Sequence, residues 1–315
     1  MNSIKQPPEI IFGINSAKEF DFQDSSLVIT SKGAKSRGWL DYLSLSNFHL
    51  FDQVESNPSI EITEIIEENF KNSKISQIVG LGGGSSLDVA KYVAFKLKKP
   101  KILIPTTFGS GSEVTRIVVL KVEGKKKSFH DDKLFADIAL VDPNFAKNTP
   151  ENILKNAVID ALAQCSEGYD SKIGNSYTRF ICKEAFNTLE NGILHNDYEK
   201  IAFGSLLSGL GFGNCSTTLG HALSYVFSNE GISHGHALAF TTIVAHQFNN
   251  SIFYDRYVKI VKKLNFKEIT LSQDLTQASK IIMSDRKHLD NNPKDVTEND
   301  IVDLLKRIIK PGLLN

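Results

Sequence analysis

Cysteine is scarce in this chain, with three in 315 residues. Cys165, Cys182 and Cys215 form no CxxC pair and no paired metal spacing, which excludes a disulfide framework and a cysteine zinc site. They read as small buried residues of a protein in a reducing compartment. An excess of charge of either sign is also missing, since 36 basic residues balance 36 acidic ones. Nucleic-acid binders usually carry a basic excess, so that partner class is set aside, although a local basic pocket remains compatible with neutrality. No stretch approaches the length of a transmembrane helix, and Met1 to Ile10 holds no apolar signal core. The expectation is a cytoplasmic protein with no membrane partner. There is no internal repeat, and the Lys125–Lys127 run is too short for a basic tail. HExxH, GxSxG and the P-loop are all absent.

What is present is a soluble composition, 41% hydrophobic and 23% charged, in a chain long enough for two domains. Short apolar runs at Leu27–Thr30, Gln77–Leu81, Lys101–Pro105, Ile117–Val122 and Ala136–Asp142 read as strands. Ile60–Lys71 and Ser86–Lys98 read as helices between them, so the first half suggests βαβ units and a parallel sheet. Beyond Asp142-Pro143 the pattern is helix after helix, broken near Lys172–Ser176, Asn191–Asp197 and Ser228–Gly231. This places a Rossmann-like α/β domain over residues 1–147 and an all-α domain over 148–315.

Two loops leave strand ends. Gly82-Gly83-Gly84-Ser85-Ser86 lies between a strand and a helix, where glycines admit close backbone approach and the helix start offers N–H groups to phosphate. It is neither GxGxxG nor a P-loop, and alone it serves equally as a tight turn. Pro105-Thr106-Thr107-Phe108-Gly109-Ser110-Gly111-Ser112-Glu113 leaves the next strand, rich in hydroxyls and glycines. Both loops would open into one crevice at the carboxyl ends of parallel strands, a place for a nucleotide.

Four of the eight histidines, His221, His234, His236 and His246, crowd into the helical half. Imidazole suits zinc or iron. Upstream, Asp160 sits in an apolar helical run with Gln164 one turn on. A carboxylate there is costly unless paired or bound to a cation, and from this segment alone a buried cap on a neighbouring helix is the favoured explanation.

These pieces together resemble the iron-containing, group III alcohol dehydrogenases. The resemblance rests on Gly82-Gly83-Gly84-Ser85-Ser86-Leu87-Asp88-Val89-Ala90-Lys91, the Pro105–Glu113 loop, Val141-Asp142-Pro143, Asp160-Ala161-Leu162-Ala163-Gln164, His221-Ala222-Leu223-Ser224-Tyr225 and His234-Gly235-His236-Ala237, in that order. It implies the dehydroquinate synthase-like fold, with NAD(P)H and a divalent metal, Fe2+ or Zn2+, in a cleft between the domains. By position, Gly82, Gly83, Gly84 and Ser85 would cradle the pyrophosphate. Thr106, Thr107, Gly109 and Ser112 would line the adenine and ribose side, and Lys126 would touch the nicotinamide ribose. Asp160, Gln164, His221 and His234 would hold the metal, and Tyr225 or a water chain through His236 would deliver a proton. The expected assembly is a homodimer.

Three departures from the family pattern matter. Gln164 replaces a histidine, so a weaker amide ligand, or a three-ligand site, is expected. Tyr225 replaces another histidine. Ser31, followed by Lys32, stands where an NAD-favouring aspartate is usual; losing the carboxylate removes repulsion against a 2′-phosphate. Gln164, Tyr225 and His234-Gly235-His236 look most like the phosphonoacetaldehyde-reductase branch. The expected reaction is reversible reduction of a small aldehyde, with a small anionic one as substrate and phosphonoacetaldehyde first. Arg116 and Arg179 are the candidates for gripping the anion. A general short-chain or glycerol-type dehydrogenase, a dehydroquinate synthase-like lyase and a metal-free NAD(P)-binding protein are the alternatives.

Overall fold

The computed structural model describes residues 3–314. Eight strands lie between Glu9 and Val141: β1 (Glu9–Phe12), β2 (Ser26–Ile29), β3 (Phe48–Phe51), β4 (Ile78–Gly82), β5 (Lys101–Pro105), β6 (Ile117–Val122), β7 (Lys125–His130) and β8 (Ile138–Val141). Six of them form a parallel sheet in the order β1-β8-β5-β4-β2-β3. The chain runs outward from β2 to β3, then crosses back to place β4 on the other side of β2. This reversal opens a crevice at the carboxyl ends of β2 and β4, where open α/β sheets bind ligands. From Glu151 to Ile309 every regular element is helical. The expected α/β-plus-all-α architecture is therefore the observed one.

The sheet's centre is legible because it is buried on both faces. Every residue of β2, β4 and β5 is buried, which leaves continuous apolar runs rather than alternation. The two edge strands gave no such run, since β1 is only partly covered and β3 is mostly exposed. Ile117–Val122 is a strand, as expected, but it does not join the sheet. It pairs antiparallel with β7, the lysine-bearing run, in a separate two-stranded ribbon that places Lys121 opposite Lys126.

Two pieces of the sequence motifs are struts. Asp142 accepts from the backbone N–H groups of Asn15, Ala17 and Asn144 and from the Tyr42 hydroxyl at 2.8 Å, pinning the end of β8 to the N-terminal segment. Lys91, wholly buried on the Gly84–Leu97 helix, donates to the carbonyls of Ser112 (2.8 Å), Thr115 (3.1 Å) and Ile117 (2.5 Å). Its neighbour Asp88 lies 3.5 Å away and accepts from Ser112 Oγ at 2.5 Å and from the N–H of Val119 at 2.9 Å. Burial pushes the Asp88 carboxyl up and the Lys91 ammonium down, and each partner opposes that shift in the other. The pair ties the hydroxyl loop and β6 to the helix that follows the glycine loop. The three cysteines are all buried and unpaired, as expected.

Candidate metal and cofactor cleft

The cleft begins with one helix. On Glu151–Asp170, Asp160, Gln164 and Glu167 fall at one-turn spacings and share a face. The Leu219–Asn229 and His234–Asn249 helices close over that face, bringing His221 and His234 to it. Their approach depends on two glycines. A Cβ at Gly220 would stand 2.6 Å from Glu167 Oε1, and one at Gly235 would overlap the backbone of Asn156. Glycine beside each of these histidines, Gly220 before His221 and Gly235 after His234, is therefore a packing requirement of their helices.

The ligand atoms of Asp160, His221 and His234 lie within 4.8 Å of one another. His221 Nε2 is 3.6 Å and His234 Nε2 3.8 Å from Asp160 Oδ1. Each ring has its other nitrogen engaged. His221 Nδ1 is 2.5 Å from Glu167 Oε2, and His234 Nδ1 is 3.4 Å from Ser224 Oγ. Such second partners fix the tautomer and leave Nε2 for a cation. Gln164 Nε2 donates to Asp160 Oδ1 at 3.0 Å, while the buried Gln164 Oε1 has no partner at all. Amide oxygen and nitrogen are exchangeable by a flip. The flip would turn the amide oxygen toward the cluster, where it could serve as a ligand to a cation beside Asp160. The donor set, one carboxylate, two imidazoles and an amide oxygen, thus fits a borderline divalent ion.

Burial pushes the Glu167 carboxyl up, yet the His221 charge and hydrogen bond outweigh this and hold it at about 2. Burial pushes His221 down, but Glu167 and Asp160 together raise it to about 9. His234 is lowered to about 4 by burial, with the His221 charge adding to that and Asp160 opposing it. A cation bound here would therefore displace a proton from His221.

This cluster forms one wall of a cleft of roughly 290 Å³ between the sheet domain and the helices. Ser85, Ser112 and Lys126 line it from the sheet side; Gln164 and Tyr225 line it from the helical side. The glycine and hydroxyl loops meet at its edge. Gly82 has φ 147°, Thr106 N–H donates to Gly82 O at 3.0 Å, and a Cβ on Gly83 or Gly84 would press on Thr107 or Ser110. That is a cradle only glycine leaves open. Ser31 follows β2 at the adjacent strand end.

Several expected residues sit differently. Gly109 is packed against the backbone of Ala157, so its role is contact between the domains. Ser112 lines the cleft, but its hydroxyl is committed to Asp88. Arg116 does not line the cleft. Strand alternation points its neighbours Thr115 and Ile117 inward, and its guanidinium pairs outside with Asp132 at 2.7 Å. Arg179 reaches the Ser171 carbonyl at 3.4 Å, also off the lining. His236 turns away, with Nε2 2.6 Å from the Lys267 carbonyl and its ring on Phe266. His246 lies in the core, 2.9 Å from Ser166 Oγ and 3.8 Å from Asp170.

Sequence reasoning missed Glu167, Asp285, Lys287 and His288. The position of Glu167, two turns beyond Asp160, was a usable signal. The other three sit on or beside a short helix, Arg286–Asn291, far along the chain, with no local pattern to mark them. His288 is buried in the cleft wall with Nδ1 2.7 Å from Asp285 Oδ2, its ring stacked 6.3 Å from that of His221.

Comparison with known proteins agrees with this geometry. Residues 7–143 match the model of the iron-containing alcohol dehydrogenases, and residues 155–284 match the C-terminal model of the Fe-containing alcohol dehydrogenase family. The chain belongs to the iron-containing alcohol dehydrogenase family. It is an oxidoreductase, and the Asp160, His221 and His234 cluster is the candidate metal site. It is 28% identical to the 4-hydroxybutyrate dehydrogenase of Clostridium kluyveri over 80% of this chain and 83% of that one. It is 33% identical to long-chain-alcohol dehydrogenase 1 of Geobacillus thermodenitrificans over 61% and 56%. The iron-containing alcohol dehydrogenase of Thermotoga maritima superposes with a TM-score of 0.88 at 26% identity, covering 98% and 99%. Sulfoacetaldehyde reductase from Bifidobacterium kashiwanohense, solved with NAD+, shares the fold with a TM-score of 0.90 at 22% identity, covering 99% of each chain. No helix among the described residues is long and apolar enough to cross a membrane.

Proposed function

We propose that the chain reduces a small anionic aldehyde to its alcohol with NAD(P)H, reversibly, and that phosphonoacetaldehyde, giving 2-hydroxyethylphosphonate, is its leading substrate. The observation that carries the reading is the convergence of Asp160, His221 and His234 on one point of a cleft whose far edge is the glycine cradle. When bound, the ion supplies Lewis acidity at the carbonyl oxygen and the nicotinamide supplies the hydride. Asp160, Gln164, His221 and His234 hold the ion, and Glu167 keeps His221 oriented. Gly82 to Ser85 seat the pyrophosphate, with Thr106 and Thr107 beside it and Lys126 at the nicotinamide ribose. Tyr225 lines the cleft, its ring stacked 6.3 Å from that of His234. Burial first, then the nearby carboxylates, raise its pKa, so the phenol stays protonated and can donate to the substrate oxygen.

Ser31 and Lys32 leave room and charge for a 2′-phosphate, so NADPH serves at least as well as NADH. The names of two relatives, a 4-hydroxybutyrate dehydrogenase and a sulfoacetaldehyde reductase, each specify a substrate with an anionic group, and this supports an anionic substrate here. The test is NADPH and NADH oxidation by protein reconstituted separately with Fe2+ and Zn2+, given phosphonoacetaldehyde or propanal. A higher kcat/KM for phosphonoacetaldehyde with NADPH is the expected result. Preference for propanal would remove the phosphonate assignment, and no oxidation with any aldehyde would remove the reductase reading.

A further inference from the structure

The charges around the cleft do not balance. Its lining holds two carboxylates, Asp88 and Asp160. Asp88 is occupied by Ser112, Val119 and Lys91, and Asp160 belongs to the metal cluster. The lining also holds three lysines, Lys121, Lys126 and Lys287, and none has a carboxylate within ion-pair distance among the described residues. Lys121 and Lys126 face each other on the ribbon, on the cofactor side. Lys287 comes from the opposite wall. Its place is set by Asp285, which caps the Arg286–Asn291 helix through the His288 N–H and also holds His288 Nδ1. His288 in turn stacks on His221, so Lys287 stands one residue from a side chain packed on the metal cluster. Its Nζ lies 3.4 Å from His130 Nε2, at the end of β7. Burial first, then the charge of Lys287, hold His130 at about 4, so that imidazole is neutral and accepts from the ammonium. One ammonium hydrogen is thus used on His130 and two are left for a ligand.

We propose that Lys287 is the anion-recognising residue of the substrate site, seating the phosphonate-type tail of the aldehyde at the metal end of the cleft. The proposal rests on the reductase reading above and deepens it. It transfers to Lys287 the role that the sequence alone suggested for Arg116, whose charge is spent on Asp132. The glycine cradle and Ser31 belong to the sheet half of the chain and Lys287 to the helical half, beside His288 and the metal cluster.

The test pairs binding with kinetics in the full-length, metal-loaded protein. Methylphosphonate, and the uncharged dimethyl methylphosphonate as control, are titrated calorimetrically into wild type, Lys287→Ala and Lys287→Arg. Wild type should bind the anion and not the ester. Lys287→Ala should weaken anion binding at least about tenfold, and Lys287→Arg should retain most of it, since the arginine keeps the charge and its donors. The ratio of kcat/KM for phosphonoacetaldehyde over propanal should fall about 10- to 100-fold in Lys287→Ala, chiefly through KM. Unchanged methylphosphonate binding in Lys287→Ala, or an unchanged substrate ratio, would overturn the proposal. If the wild type reduces no aldehyde but still binds methylphosphonate through Lys287, the reductase reading fails and the anion site stands. If it reduces propanal and does not bind methylphosphonate, the anion site fails and the reductase reading stands.

Discussion

Glu167 Oε2 lies 2.5 Å from His221 Nδ1, and its other oxygen accepts from the N–H of Gly220, also at 2.5 Å. One buried carboxylate thus orients a proposed metal ligand and fixes the backbone just before it. Glu167→Gln keeps the volume but loses the charge. It should lower metal affinity about 10- to 100-fold, the usual effect of losing such an outer partner. Competition against a chelator measures this; an unchanged affinity would mean that Glu167 serves the helix start alone.

The ligand set predicts a hierarchy. His221→Ala should abolish stable metal content, and Gln164→Ala should reduce it less, because an amide oxygen is the weaker donor. Free ion at about 100 times its Kd should add roughly 2.7 kcal/mol to the unfolding free energy of the metal-stripped wild type. The same addition should do nothing for His221→Ala. Elemental analysis with urea titrations, with and without ion, reads both effects.

Ser31 is proposed to set the cofactor preference. Ser31→Asp places a carboxylate where the 2′-phosphate would lie, so preference should move toward NADH by about tenfold or more. The kcat/KM ratio for the two cofactors is the measurement, and an unmoved ratio would separate Ser31 from the ribose.

The Asp88–Lys91 pair is a stability element. Asp88→Ala strands a buried ammonium and should cost about 3–5 kcal/mol. Lys91→Met should cost at least as much, since it strands the carboxylate and also frees the carbonyls of Ser112, Thr115 and Ile117. Urea unfolding at neutral pH compares them.

Glu113 should give stability a pH slope. Burial dominates over Lys91 and its own backbone N–H, and raises its carboxyl from 4.5 to about 7. Between those values the folded chain holds a proton that the unfolded chain has released. Its contribution is therefore full below about pH 4.5 and is lost as the pH rises through 7. Two and a half pH units correspond to a difference on the order of 3 kcal/mol. Glu113→Gln should flatten the wild-type slope and stabilise the protein at pH 8. Urea midpoints at pH 5 and pH 8 test this, and parallel slopes would reject it.

The sequence carried the sheet centre because β2, β4 and β5 are apolar throughout, and it singled out Asp160, His221 and His234, which the fold brings together, because they sit in local motifs. It did not carry β1 and β3, whose edge positions need no apolar run. Nor did it separate β6 from the sheet, since pairing with β7 is a tertiary choice. Arg116 illustrates the limit most directly. Its position beside the hydroxyl loop was legible, but which way the strand turned it was not, and that direction gave the guanidinium to Asp132. Lys287 and His288 reach the cleft through chain folding alone.

Asp160, Gln164, His221 and His234 all belong to the helical half, while Gly82 to Ser85 belong to the sheet half. A swing of one half against the other would therefore widen the gap between ion and nicotinamide without stretching a single ligand. If these residues hold the ion as proposed, it would stay in place through turnover while the dinucleotide comes and goes.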